Sequence, residues 1–403
     1  MALRDTIRVL YSFPHKIGAG RICLVAWQQV KGVADAGADV TVFPGVLHRP
    51  LPPNIKVQTT LSRGKARIPY TILGNKRALA LHDWIVARRI KNLVGKVDLI
   101  HTWPLGALKT LQTAAKLGIA TVLERPNAHT TFAYEVVKQE CERLGITMPQ
   151  GHEHDYDQRV IDREEAEYKL ADCLLCPSDF VMHTFLERGF PPEKLMRHQY
   201  GFDSEVCYAN PISTDKKQGL TMLFAGGCAP RKGLHYALEA WLRSPAHQDG
   251  TFLIVGDFIP GYAEKLGSML AHPSVQCLGY RTDLPKLMRQ SDLFVLSSIE
   301  EGSALVTSDA RASGCVLLVS EAAGAICTHM ENALVHRVGD VNTLAKHITM
   351  LDQDRELLAR LRAASLSNVH EITWTAAGLR LFHAYRDVLL RKEKRKPSST
   401  VGA

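Results

Sequence analysis

One pattern limits this chain more than any other: an alternation of apolar strands and helices runs, breaks off, and runs again. Strands are expected at 7–13, 38–43, 98–103, 120–124 and 172–178, with helices between them such as 106–117 and 159–170. A polar stretch over 208–219, rich in Ser, Thr, Asp and Lys, then interrupts the pattern and reads as an interdomain linker. Strands recur at 220–225, 251–255, 275–278, 293–297 and 315–320. Such alternation with short connections builds parallel sheets covered by helices on both faces. Two of these units in succession place a ligand-binding cleft between two sheets. A last helix, over 374–390, could pack on either unit.

The chain's 403 residues are too many for one ordinary core and suit two α/β domains. Its 46% apolar and 22% charged content is that of a soluble globular protein. No apolar run reaches the roughly 20 residues that span a bilayer, and residues 1–11 lack the ordered regions of a signal peptide. A cytoplasmic protein is therefore expected. The nine cysteines are scattered and sit mostly in apolar runs, as reduced thiols do. Cys173 and Cys176 have the spacing of a zinc or redox pair. They fall inside one strand with no matching second pair, which favours core packing.

The formal charge is +8. Part of it lies in 391–396, Arg-Lys-Glu-Lys-Arg-Lys, which with the rest of 391–403 is expected to be a disordered basic tail. A second basic group comprises Arg63, Lys65, Arg67, Lys76, Arg77, Arg88, Arg89 and Lys91. It is either a solvated face or a surface drawn to anionic lipid headgroups or an acidic substrate. No recognition module accompanies it, so nucleic acid is not an expected partner.

Three segments carry chemistry. In 297–314, a strand ends near Ser298, the loop Glu300-Glu-Gly-Ser303 turns, and a helix begins near Ala304. Backbone N–H groups at a helix start lack partners within the helix and suit an anion such as a diphosphate. Glu301 in the loop and Asp309 two turns later can accept hydrogen bonds from paired sugar hydroxyls at two ends of one ligand. The plainer alternative is that Glu301 complements the helix dipole and Asp309 faces water. In 223–241, a strand and a small-residue loop lead to Arg231-Lys-Gly233 and an amphipathic helix. Two cations at a helix start oppose the dipole, a cost that a bound anion would offset. The third segment is the loop with Gly18 and Gly20 after the first strand, where glycines allow a phosphate close to the backbone.

In order and spacing these residues resemble the retaining glycosyltransferases of family 4, which have the GT-B fold. Glu301 through Asp309 matches the family's glutamate–seven residues–glutamate motif, with aspartate in the second place. Lys232-Gly233 matches its lysine–glycine, Pro177-Ser178 its Pro-Ser strand end, and Tyr200-Gly-Phe-Asp203 its Tyr-Gly-Val-Asp segment. Trp374 and Tyr385 resemble aromatics of its C-terminal helix, which in the family crosses back to the N-terminal domain. Gly227 stands where the family often has arginine, a charge that Arg231 is placed to supply.

The resemblance implies an α/β fold with two Rossmann-like domains facing across a cleft. These are an acceptor-binding domain over 1–207 and a nucleotide-sugar-binding domain over 220–372, followed by a helix over 373–390 that crosses back to the first. It implies transfer with retention from a nucleotide diphosphate sugar to a glycan, lipid-linked or small-molecule acceptor. Arg231, Lys232 and the helix start at Gly302, Ser303, Ala304 and Leu305 would take the diphosphate, approached by Gly18 and Gly20 from the facing domain. Glu301 would hold the sugar and Asp309 the ribose. His129, after the strand at 120–124, would contact the donor sugar, with His101 competing for a cleft position. No cofactor or metal is implied. Asp155-Tyr-Asp157 formally matches a metal-binding Asp-x-Asp, but no apolar strand precedes it, so a loop or helix start near the acceptor side is expected. Asp352-Gln-Asp354 reads as a helix N-terminus. A GT-B nucleotide-sugar epimerase and a catalytically silent nucleotide-sugar-binding protein remain as alternatives. Contact with the inner face of a membrane through the basic group is a further expectation.

Overall fold

The computed structural model describes residues 6–20, 22–63, 66–67, 74–210 and 219–394. Most of the expected linker, residues 211–218, lies outside them, as do Lys65, the side chains of Arg63 and Arg67, and residues 395–403 of the basic tail.

Two parallel sheets organise the chain. The first contains β1 (Arg8–Ile17), β2 (Asp39–Leu47), β3 (Lys56–Val57), β6 (Leu99–Thr102), β7 (Ala120–Glu124), β8 (Cys173–Cys176) and β9 (Leu195–Arg197), in the order β3-β2-β1-β6-β7-β8-β9. A small antiparallel ribbon, β4 (Ser62–Arg63) with β5 (Ala66–Arg67), stands outside it. The second contains β10 (Thr221–Ala225), β11 (Thr251–Val255), β12 (Val275–Gly279), β13 (Leu293–Leu296), β14 (Val316–Ser320) and β15 (Ala333–His336), in the order β12-β11-β10-β13-β14-β15. Strands such as Leu293–Leu296 and Val316–Ser320 are buried along their whole length, as expected of strands covered on both faces.

The first sheet is accompanied by α1 (Ile22–Asp35), α2 (Asn75–Arg89), α3 (Leu108–Leu117), α4 (Thr130–Leu144), α5 (Gln158–Leu170) and α6 (Asp179–Leu186). The second is accompanied by α7 (Leu234–Arg243), α8 (Tyr262–Leu270), α9 (Leu284–Gln290), α10 (Leu305–Ala312), α11 (Val341–Gln353) and α12 (Arg355–Ser367). Strand order reverses beside β1 in one sheet and beside β10 in the other, because the next strands add on opposite sides. Open α/β sheets bind ligands at such reversals, beyond the carboxyl ends of the strands. The loops after β10 and β13 therefore flank the reversal in the second sheet.

The last helix, α13 (Trp374–Lys394), packs on the first domain. It crosses α1 so closely that a Cβ on Gly378 would lie 2.5 Å from the Gly32 Cα. Tyr385 is fully buried there with its hydroxyl 2.7 Å from His101 Nδ1. The helix runs beyond the expected 390, so the tail's first residues are ordered. Lys392 pairs with Asp172 at 2.7 Å and donates to the Ile119 carbonyl, while Arg391 donates to the Glu193 carbonyl. Cations in a last helical turn also suit the helix dipole. The two chain crossings between domains meet directly: Phe202 N–H donates to the Ile372 carbonyl at 3.2 Å, and Phe202 pairs with Thr373.

Cys173 and Cys176 lie three apart on β8, so their side chains take opposite faces. They pack in two separate apolar clusters, as the core reading expects. Among the described residues, no helix is long and apolar enough to cross a membrane.

Candidate functional site

The loops after β10 and β13 bring four charged side chains together. Pro230–Lys232 forms one tight turn, Gly233 adopts φ +64°, and α7 starts at Leu234. Gly233 is required twice over, since a Cβ there would also come within 1.8 Å of the Ser297 carbonyl oxygen. That close approach presses Arg231 and Lys232 against the loop after β13.

Glu301 pairs with Lys232, lies 3.3 Å from Arg231 and accepts from Ser298 Oγ at 3.4 Å. Burial would raise its carboxyl, but the charges of Arg231 and Lys232 hold it below its ordinary value. Its neighbour Glu300 is 0% exposed. Arg231 Nη1 donates to the Glu300 carboxylate at 3.2 Å and to its backbone carbonyl at 3.0 Å. The Glu300 carboxylate also accepts from the Ala128 N–H at 3.1 Å and lies 3.2 Å from His154 Nε2. Burial opposes its charge, yet the His154 hydrogen bond, Arg231 and the Ala128 N–H lower it to about 2.

Two of these partners come from the facing domain. Ala128 lies in the loop after β7 and His154 in the segment between α4 and α5. Ser178, which caps α6, donates across the cleft to the Gly302 carbonyl at 2.5 Å. Helix α4 also docks on the second domain, with Glu140 2.7 Å from His235 Nε2 and Val137, Cys141 and Ile299 in one apolar cluster.

The structure thus unites Glu301, Arg231, Lys232 and Gly302. Ser303 lies in the same loop, and α10 begins at Leu305 with Ala304 as its cap residue. No side chain caps this start, but the Ala304 N–H donates to the Ala323 carbonyl at 3.3 Å. The cations' helix-start cost does not by itself call for a bound anion, because Glu300 and Glu301 already stand beside them. Gly18, with φ +83°, is packed under Arg49, while Gly20 has open space around it. An added Cβ on Gly227 would meet nothing within 4 Å, so its place is open.

Two expected positions, His129 and His101, need correction. The His129 ring is 1% exposed and turned into the first domain, 5.0 Å from the Phe185 ring and 3.0 Å from a Glu165 oxygen. Burial first, then the charges of Arg125 and Arg188, lower its pKa to about 3. His101 is likewise buried within the first domain: it stacks on Tyr11 at 4.3 Å and lies 3.5 Å from the buried Glu124. Asp309 has the Cys207 thiol as its hydrogen-bonding partner, with Asp203 nearby. The acidic segment is a loop and helix start: Asp157 caps α5 by accepting from Arg159 N–H and pairs with Lys76, while Asp155 accepts from Gly151 N–H. Asp354 caps α12 by accepting from Leu357 N–H at 2.8 Å.

Burial pushes the Asp309 carboxyl up to about 6, helped by Asp203 and opposed by the Cys207 hydrogen bond. An aspartate raised in the folded state binds its proton more tightly there than when unfolded. Stability from that proton is present below the unfolded pKa and lost as pH rises through about 6. Asp309→Asn should therefore gain up to about 3 kcal/mol at pH 8 and almost nothing at pH 4. Denaturant unfolding of both proteins at the two pH values checks this; equal differences at both would show that Asp309 is not held in this way.

Sequence reasoning missed Glu300, His154 and the Ala128 N–H. Glu300 stood beside a motif glutamate, and its partners are distant in sequence.

Residues 24–206 match the family described as Glycosyltransferase Family 4, and residues 219–354 match Glycosyl transferases group 1. The UDP-Gal:alpha-D-GlcNAc-diphosphoundecaprenol alpha-1,3-galactosyltransferase of Escherichia coli is 26% identical over 151 residues. That match covers 35% of this chain and 39% of the relative, less than half its length. Among solved structures, sucrose-phosphate synthase from Thermosynechococcus elongatus has a TM-score of 0.67 at 18% identity, covering 96% of this chain and 100% of that one. Anabaena HepE in complex with UDP has a TM-score of 0.65 at 17% identity, covering 94% and 100%. Identities this low speak to the fold alone.

Proposed function

Because this chain belongs to the family 4, group 1 glycosyltransferases and has the GT-B fold, we propose that it transfers a sugar from a nucleotide diphosphate sugar to a hydroxyl acceptor, with retention at the anomeric carbon. The observation that carries this reading is the set of buried Arg231, Glu300 and Glu301 with the partly buried Lys232 at the strand reversal of the second sheet. A diphosphate arriving there meets two cations fixed in advance, which is how charge developing on a leaving group is stabilised. The diphosphate departs with the electron pair of the sugar C1–O bond. The acceptor oxygen forms the new bond to C1, and its proton passes to the departing phosphate. Glu301, once Lys232 turns to the diphosphate, is free to accept hydrogen bonds from sugar hydroxyls.

The acceptor is a glycan, a lipid-linked glycan precursor or a small molecule. A lipid-linked acceptor is supported by α2, where Trp84 is 42% exposed and Arg88 stacks over it at 4.7 Å. An amphipathic ring beside a cation suits the headgroup region of an anionic membrane.

The test is nucleoside diphosphate release from UDP- and GDP-sugars with and without candidate acceptors, before and after chelation. Release that rises with acceptor and survives chelation is expected, since cations and backbone donors take the place of a metal. Isomerised sugar without acceptor would make the chain an epimerase. Binding without turnover would make it a silent module. Activity lost on chelation and restored by magnesium or manganese would overturn the metal-free reading.

A further inference from the structure

The cleft holds a carboxylate that the proposed chemistry does not use. Glu300 sits between the domains: its Oε2 is shared by Arg231 from its own domain and His154 from the other, and its Oε1 accepts from the Ala128 N–H of the other domain. Glu300 is anionic, so the His154 ring must donate its Nε2–H. His154 is itself buried, and its segment is carried on α4, which is anchored to the second domain through Glu140 and His235.

The charge balance around Arg231 gives this arrangement a consequence. Two buried carboxylates neutralise the two cations, so a diphosphate entering the site meets no net positive charge while Glu300 keeps its hold on Arg231. Two N–H donors from the facing domain take up part of the Glu300 charge. The outer nitrogen of Arg231, Nη2, then has Glu153 at 3.6 Å as a neighbour, a residue 63% exposed on its side chain. An exposed carboxylate at that distance is readily displaced by a phosphate.

We propose that His154 is a positioning residue for Arg231: acting through Glu300, it couples closure of the two domains to the affinity of the site for a diphosphate. This rests on reading the cleft as a nucleotide-sugar site. In the closed form, His154 and the Ala128 N–H hold Glu300 and leave the outer face of Arg231 to the ligand. In an open form, Glu300 would keep Arg231 for itself.

The experiment titrates UDP, and separately GDP, into wild type, His154→Ala, His154→Gln, Glu300→Gln and the His154→Ala/Glu300→Gln double variant. His154→Ala should weaken the diphosphate about tenfold, and should change affinity less than about twofold when residue 300 is already glutamine. His154→Gln, which keeps a donor N–H, should restore most of the loss. Thermal unfolding of each variant separates misfolding from the effect, because loss of a merely structural contact would weaken binding equally in both backgrounds. Such an equal loss, or wild-type affinity in His154→Ala, overturns the proposal alone. Wild-type protein that binds neither diphosphate overturns the nucleotide-sugar reading and this inference with it.

Discussion

Arg231→Ala is expected to lower turnover by roughly 10²–10³-fold and to destabilise the fold by ~3–5 kcal/mol. The two losses have one origin. Arg231 is 9% exposed and touches both Glu300 and Glu301. Removing it takes one of two cations from the leaving group and leaves two buried carboxylates to share Lys232. The stability loss should carry a pH signature. In the wild type, Glu300 is held at about 2, below an ordinary glutamate. A depressed carboxyl contributes stability that is present above its unfolded pKa and is lost as pH falls through the folded one. The gap between wild type and variant should therefore be widest near pH 7 and narrow as pH falls from about 4.5 toward 2. Lys232→Ala should reduce turnover on the same scale with a smaller stability cost, since Arg231 still faces both glutamates. Turnover per folded molecule and denaturant unfolding at pH 7 and pH 3 check these points. Wild-type turnover in both variants would remove the pair from the reaction.

Much of this architecture was readable before any coordinates. The expected strand over 120–124 is β7 to the residue, and 251–255 is β11. Short, largely apolar runs leave such a strand little freedom in its limits. The last helix was ambiguous because it leaves one domain and packs on the other. Its closest crossing is made by small residues, Gly32 and Gly378, which no apolar periodicity announces. Glu301, Arg231 and Lys232 were legible because each follows a strand within a few residues, and a strand end fixes where its loop must be. Glu300 and His154 were not legible, since 146 residues separate them and only the closed domains join them.

The histidines show the same limit from the other side. His101 and His129 both follow or end apolar strands, which is the pattern of a cleft residue. What turns them away are distant partners: Tyr385 of α13 for one, Phe185 and Phe190 for the other. The pair Arg231-Lys232 argued for a bound anion on helix-dipole grounds. The dipole argument was sound, but the anions beside the pair are the protein's own carboxylates.

Gly302→Ala is expected to reduce turnover by about 10²-fold or more, because it would hold the domains apart. A Cβ on Gly302 would lie 1.5 Å from the Pro126 carbonyl oxygen and 2.4 Å from its carbon. Those atoms are backbone of the facing domain, so no side chain can rotate to make room. Gly302 is not among the glycines with positive φ, so its backbone conformation is one that alanine adopts without strain. The variant should fold, with a melting temperature within a few degrees of the wild type. Its diphosphate affinity should fall somewhat further than in His154→Ala, since parting the domains takes both His154 and the Ala128 N–H from Glu300. Turnover should fall much further, because the acceptor-bearing domain no longer reaches the sugar. Steady-state kinetics, titration with UDP or GDP, and small-angle scattering give the three readouts. Wild-type turnover in Gly302→Ala, or equal losses of turnover and diphosphate affinity, would show that contact between Gly302 and Pro126 is not part of the reactive arrangement.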